Sequence, residues 1–246
     1  MTGLLPEPWA LAVAAVAVLL GTVVQRLTGQ GFGMVAAPVL ALVAPGWLPG
    51  TVLLLGLAVG AGSLLGTRGA VHPRDLPPGF AGRALGAAFA AWIAARVVGT
   101  PGLPLVVGLV VWLAVLLSVA GLRLPVRPAT LFGAGGVAGV MGTLTGIGAP
   151  PMAILYANTE ARRSAATQNA FFAFGMVVSL GALWLAGLLG LRHLALAAVL
   201  LPLVPLALWT ARPLAARIEA GAIRPWALGL AACAASILVW RGAVGG

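Results

Sequence analysis

The 246-residue sequence predicts an all-α polytopic membrane protein built from two inverted-topology repeats. Each repeat is a Gly/Pro-broken or re-entrant helix pair plus three transmembrane helices, about eight to ten helical segments in all. Three observations carry this reading. The first is composition: 61% of residues are hydrophobic and only 7% charged, and the mean hydropathy is +1.11, far beyond a soluble globular domain. The second is a series of apolar runs of bilayer-spanning length. The third is a pair of short stretches, QRLTGQGFGMVAAP at 25–38 and GTLTGIGAPPMAILY at 142–156, that share Leu-Thr-Gly-x-Gly and put glycine and proline where a membrane helix should continue.

The runs fall at roughly 9–24, 50–67, 79–98, 103–121, 129–143, 164–191, 194–210 and 225–240. Each is close to the length needed to cross a hydrocarbon core of ~30 Å. They do not alternate polar and apolar residues, which argues against an outer-membrane barrel. The first lacks a basic n-region and reads as a retained helix instead of a cleaved signal. Pro202 and Pro205 should kink the penultimate run. The pairs Gly56 with Gly60, Gly62 with Gly66 and Gly135 with Gly139 would let helices approach closely, although in a chain with 35 glycines such spacings also arise from composition.

The net charge of +10 comes entirely with arginine as the basic residue, scattered between apolar runs, so it reads as a topology signal and not as a nucleic-acid patch. Ten arginines (Arg68, Arg74, Arg83, Arg123, Arg127, Arg162, Arg163, Arg212, Arg217 and Arg224) flank connections assigned to the cytoplasm; Arg96, Arg192 and Arg241 fall on the other side. With both termini extracytoplasmic, each broken segment must return the chain to the side it came from. Three crossings then follow, so the halves 1–123 and 127–246 are inverted relative to one another. A helix pair and a re-entrant hairpin satisfy this equally. Either must be buried in protein or line a wet cavity, because lipid offers no partner for exposed backbone groups.

Arg26 is the arginine left over, at the first break itself. A charge within the membrane costs at least ~2.5 kcal/mol and points to a functional site. Glu7, Asp75, Glu160 and Glu219 all fall at the ends of runs, so the expected partner is an anion. The alternative is snorkelling of Arg26 to an interface. Gly29, Gly31 and Gly33 before Pro38, with Gly146 and Gly148 before Pro150 and Pro151, would leave backbone amides uncovered at the start of half-helices. Gln25, Thr28 and Gln30 in the first break, and Thr143 and Thr145 in the second, add neutral hydrogen-bonding groups. The candidate substrate-binding set is therefore Gln25, Arg26, Thr28, Gly29, Gln30, Gly31, Gly33, Thr145, Gly146, Gly148, Pro150, Gln168 and Asn169. Thr167, Gln168 and Asn169 either line a path from the cytoplasm or bond neighbouring backbone. His72 and His193 read as solvated loop residues.

No intramembrane Asp or Glu is expected to relay protons, no His/Cys/Asp cluster to hold a metal, no phosphate loop to bind ATP, and no paired nucleophile and base to make an enzyme. Catalytic residues, metals and cofactors are accordingly expected to be absent. Cys233, the single cysteine, lies within the last run and forms no disulfide inside one chain. The expected partners are a small anionic substrate and the lipid bilayer, with no nucleic acid and with a homodimer left open.

At these motifs the sequence resembles the sulfite exporter TauE/SafE family of bacterial inner-membrane carriers. VVQRLTGQGFGMVAAPVLAL at 23–42 is similar to that family's Gln-x-x-x-Gly-x-Gly-Phe pattern ending in Pro-x-Leu. GVMGTLTGIGAPPMAILY at 139–156, followed by Arg162 or Arg163 and the stretch from Thr167 to Phe174, resembles its Gly-x-Gly-Gly-Pro-Pro motif, with Ala149 where glycine is usual. The resemblance implies transport of a small sulfur-containing anion, such as sulfite or sulfoacetate, by alternating access across the inner membrane. The competing readings are a passive small-anion channel or uniporter, a carrier of small carboxylates, and a non-transporting membrane subunit.

The orientation has its own test. In a variant lacking Cys233, a cysteine introduced beside Arg74 is expected to resist impermeant maleimide added to intact cells; labelling from outside would contradict the assignment.

Overall fold

The computed structural model describes residues 3–28, 31–65, 71–215 and 220–244, without side-chain placement at 28, 161–162, 212–215 and 220–224. The described residues are helical, with short connections and no strand. The chain runs α1 (Pro8–Thr28), α2 (Phe32–Val43), a 3-10 turn (Pro45–Trp47), α3 (Gly50–Leu65), a 3-10 turn (Pro73–Asp75), α4 (Leu76–Val97) and α5 (Gly102–Val119). It continues with α6 (Pro128–Thr145), α7 (Ala149–Leu155), α8 (Ala161–Leu185), α9 (Leu191–Leu200), α10 (Leu203–Ala215) and α11 (Ala220–Val244).

Six of the described segments are long and apolar enough to cross a membrane, among them Pro8–Leu27, Gly102–Val119 and Leu191–Ala211. Large apolar side chains cover the outside of the bundle, including Leu20, Leu85, Phe89, Leu113, Leu185 and Leu194. That distribution would be insoluble in water and is ordinary in lipid. Exposed tryptophans stand toward helix ends, Trp9 in α1, Trp184 in α8 and Trp240 in α11, as interfacial aromatics do. The protein is a multi-pass membrane protein.

Each interruption seen in the sequence ends a helix. At one step per 1.5 Å, α1 reaches about 31 Å, whereas α2 and α7, of 12 and 7 residues, extend only about 18 and 10 Å and do not cross. Pro202 separates α9 from α10, dividing one apolar run into two because proline cannot donate the next helical hydrogen bond. The expected kink is there.

The tightest crossing joins α4 to α6. Gly82 and Gly86 of α4 and Gly135 and Gly139 of α6 lie so close to the opposite helix that an added Cβ on any of them would collide with its backbone. Gly56 and Gly60 of α3 likewise receive Met176 and Phe172 of α8. The glycine pairs singled out at 56/60 and 135/139 are therefore interfaces. α5 runs along α11, and α1 against α2 and α10.

Overpacking a buried interface costs about 1–3 kcal/mol. Gly82→Val is expected to lower the midpoint of thermal unfolding in detergent by several degrees, while Gly133→Val, at a glycine with open space around it, is expected to leave it unchanged. Equal midpoints for the two variants would contradict the close crossing.

Candidate functional site

The two breaks meet. Gly33, in the first turn of α2, lies on the backbone of Gly146 and Ile147, so that a side chain at 33 would strike the Gly146 carbonyl. Gly146 closes α6 in the left-handed conformation with φ of 76°, and Gly31 precedes α2 with φ of 144°. Glycine adopts such angles without the steric cost a Cβ brings.

The polar residues around the breaks satisfy the helix ends. Gln25, 1% exposed, accepts the Phe32 N–H at Oε1 (3.2 Å) and donates from Nε2 to Asn169 Oδ1 (3.3 Å). It thereby caps α2 and ties it to α8. Thr145 donates to the Met141 carbonyl (2.7 Å) and accepts the Ile147 N–H (3.2 Å), while the Gly146 N–H returns to the Gly142 carbonyl. Backbone donors that the sequence offers to an anion are thus already engaged at Phe32, Gly146 and Ile147. Arg26 stands in the last turn of α1, half-buried. Gly29, Gln30 and the Thr28 side chain lie outside the described residues.

The buried charge is elsewhere. Arg83, sorted by loop counting into a cytoplasmic connection, sits within α4 and is 3% exposed. Its guanidinium occupies space left by three glycines, Gly142 at the end of α6, Gly148 before α7 and Gly175 on α8; a Cβ at any of them would meet it. Nη1 donates to the Ala138 carbonyl, Nη2 faces Ser179 Oγ at 3.4 Å, and Ser179 Oγ pairs with Thr143 Oγ1 at 2.7 Å. Nε is buried with no partner. No salt bridge to Arg83 is present among the described residues.

The sequence held a signal for this. The apolar run begins near residue 79, so Arg83 is already a turn inside it, and Gly79, Gly82 and Gly86 mark that stretch of α4 as closely packed. Assigning arginines to the nearest connection hid it.

Arg83 faces an enclosed cavity of about 20 Å³, room for a water-sized occupant, walled by Gly148, Ala149 and Met152 of the second break and by Gln168, Phe171 and Phe172 of α8. On the other side of α7 lies a wider cavity of about 440 Å³ reached by Pro150, Ala153, Tyr156, Arg123 and again Gln168. The two turns of α7 and the Gln168 side chain lend lining to both. Gln168 donates to Ser164 Oγ (2.8 Å). Asn169 points instead to Gln25, and Thr167 accepts the His72 N–H (3.1 Å). Of the three polar residues at the start of α8, Gln168 is the one that lines both cavities.

A second polar group anchors the start of α4. Asp75, 8% exposed, accepts the Tyr156 hydroxyl at 2.8 Å and pairs with His72 Nδ1 at 2.9 Å, joining the entry of α4 to the exit of α7. His193 is 1% exposed and accepts the Gly190 N–H at Nδ1 (3.0 Å). It is therefore a buried helix-start residue and not a solvated loop histidine; the run of leucines that follows it draws it into the core.

Gln25→Leu leaves a buried amide N–H and Asn169 without that partner, at a cost of about 1–3 kcal/mol. Thermal unfolding in detergent is expected to fall by several degrees for Gln25→Leu and for Asn169→Leu, and the double variant to fall by less than the sum. Additive losses would contradict the coupling of α2 to α8.

A family model described as "Sulfite exporter TauE/SafE" matches residues 13–238, a span that includes both breaks, Arg83 and Gln168. Neither a curated protein nor a solved structure matches the chain. With nearly its whole length covered, the chain belongs to the sulfite exporter TauE/SafE family of membrane transporters.

Proposed function

We propose that this protein is a secondary carrier that moves a small sulfur-containing anion, sulfite or an organosulfonate, across the bacterial inner membrane by alternating access, with Arg83 as the charge that holds it. The observation carrying the reading is the Arg83 guanidinium, buried in a membrane bundle beside the second break with no carboxylate bonded to it among the described residues and its Nε unpartnered. Burying an uncompensated cation is costly, and a bound anion removes that cost. Family membership supports the sulfur anion as the substrate class.

The helix order supports two repeats, 1–123 and 127–246. The set α1 to α5 corresponds to α6, α7, α8, the divided α9 and α10, and α11. Packing follows the same correspondence: α1 on α2 as α6 on α7, α4 on α6 as α10 on α1, with α3 against α8 and α5 against α11 across the pseudo-two-fold axis. The wide cavity by Arg123 and Ser164 would be the cytoplasmic approach. A rocking of α7 and Gln168 would join it to the Arg83 cavity and enlarge that water-sized space to admit the anion. Two separate cavities that share Gln168 favour a gated carrier over an open pore.

In this reading Arg83 takes the role expected of Arg26, whereas Gln25, Gly33, Thr145, Gly146 and Asn169 build the break and Gly148 and Gln168 border the substrate. Removing one partner of a buried charged contact costs about 2–5 kcal/mol, on the order of 10²–10³-fold. In proteoliposomes, Arg83→Gln is expected to lose sulfite counterflow by that factor, while Arg26→Ala keeps it. Full transport by Arg83→Gln would overturn the role of Arg83, and transport that internal substrate does not accelerate would favour the channel.

A further inference from the structure

The charge count of the cavity points to its substrate form. We propose that the site takes a singly charged anion and rejects dianions, so that a diprotic acid such as sulfurous acid crosses as its hydrogen anion and brings a proton with it. The inference rests on the reading of Arg83 as the anion site.

Among the described residues lining the cavity, Arg83 is the one that carries a charge. Nη1 and Nη2 are directed at Ala138 and Ser179, and the buried Nε has no partner. Two backbone donors of the breaks are already engaged. The first amide of α2 is capped by Gln25, and the Ile147 N–H by Thr145. The remaining walls are uncharged: Met152, Phe171 and Phe172 are apolar, and Gln168 contributes a neutral amide whose Oε1 is buried without a partner. One guanidinium neutralises one negative charge; a second would be buried without a partner, which a low-dielectric enclosure strongly disfavours.

The consequence concerns coupling. Sulfite interconverts between its dianion and hydrogensulfite near neutral pH. A site restricted to monoanions therefore moves one proton with every sulfite and needs no acidic relay of its own. The groups whose titration could imitate this, His72, Asp75 and Tyr156, lie together at the entry of α4. Their effect would fall on every substrate alike.

The test uses the full-length protein in proteoliposomes with the membrane potential clamped. Initial uptake of sulfite, methanesulfonate, sulfoacetate and sulfate is measured between pH 6 and 8.5. Methanesulfonate, a monoanion throughout, is the expected substrate with a flat profile. Sulfite uptake is expected to fall with the hydrogensulfite fraction, roughly tenfold per pH unit once the dianion dominates, and sulfate and sulfoacetate to be carried at least about a hundredfold more slowly. Sulfate or sulfoacetate carried at the rate of methanesulfonate would overturn the proposal, as would sulfite uptake that stays flat or rises with pH. Failure of the underlying reading looks different: none of the four anions would show counterflow, or Arg83→Gln would carry them as well as the unaltered protein.

Discussion

The arrangement depends on one cation placed where the solvent is hydrocarbon. Arg83 is carried into the bundle by α4 and enclosed by glycines from α6, the second break and α8. Its bonds to Ala138 and Ser179 fix those elements around it. No side chain larger than hydrogen fits at Gly142, Gly148 or Gly175 while the guanidinium is present. The glycine content of this part of the chain thus follows from the need to bring backbone to a charge, as much as from helix packing.

The paired breaks complete that enclosure. Irregular backbone at membrane depth must find its hydrogen bonds inside the protein, and here Gln25 and Thr145 supply them from short range. The breaks touch at Gly33 and Gly146 with the neighbouring Phe32, Gly146 and Ile147 amides already engaged. The seven-residue α7 lends residues to both the cavity of Arg83 and the wider one by Arg123. It is anchored at its end by Tyr156 to Asp75 and by Met152 and Leu155 packed with Leu131 and Phe171, and under the proposed alternating access it is the element that would move.

Much of the fold was legible because membrane helices announce themselves by length and apolarity. The run at 103–121 became α5 at 102–119, and 50–67 became α3 at 50–65. The breaks were legible because Gly31, Gly146 and Pro150 are incompatible with a continuing helix. The position of the charge was not, since hydropathy treats an arginine near the end of a run as belonging to the loop. Arg83 stands about a turn inside the run at 79–98 and Arg26 just past the run at 9–24, and only the three-dimensional crossing of α4 with α6 shows that the first is enclosed while the second is half-buried. Likewise the sequence offered Gln25 and Thr145 as ligands. Composition cannot distinguish a polar side chain facing a ligand from one facing the nearest helix end, and both cap their own break.

The central claim, that Arg83 receives the substrate anion, is tested most directly by locating an anion in crystals of the protein. Bromomethanesulfonate is a compact monoanion whose bromine gives an anomalous signal. The account requires a single strong peak within the enclosure of Arg83, Gly148, Gln168 and Phe171, with the sulfonate in hydrogen-bonding reach of Arg83 Nε, and its loss in Arg83→Gln. A peak at Arg26, or one beside residue 83 that persists in the glutamine variant, would contradict it.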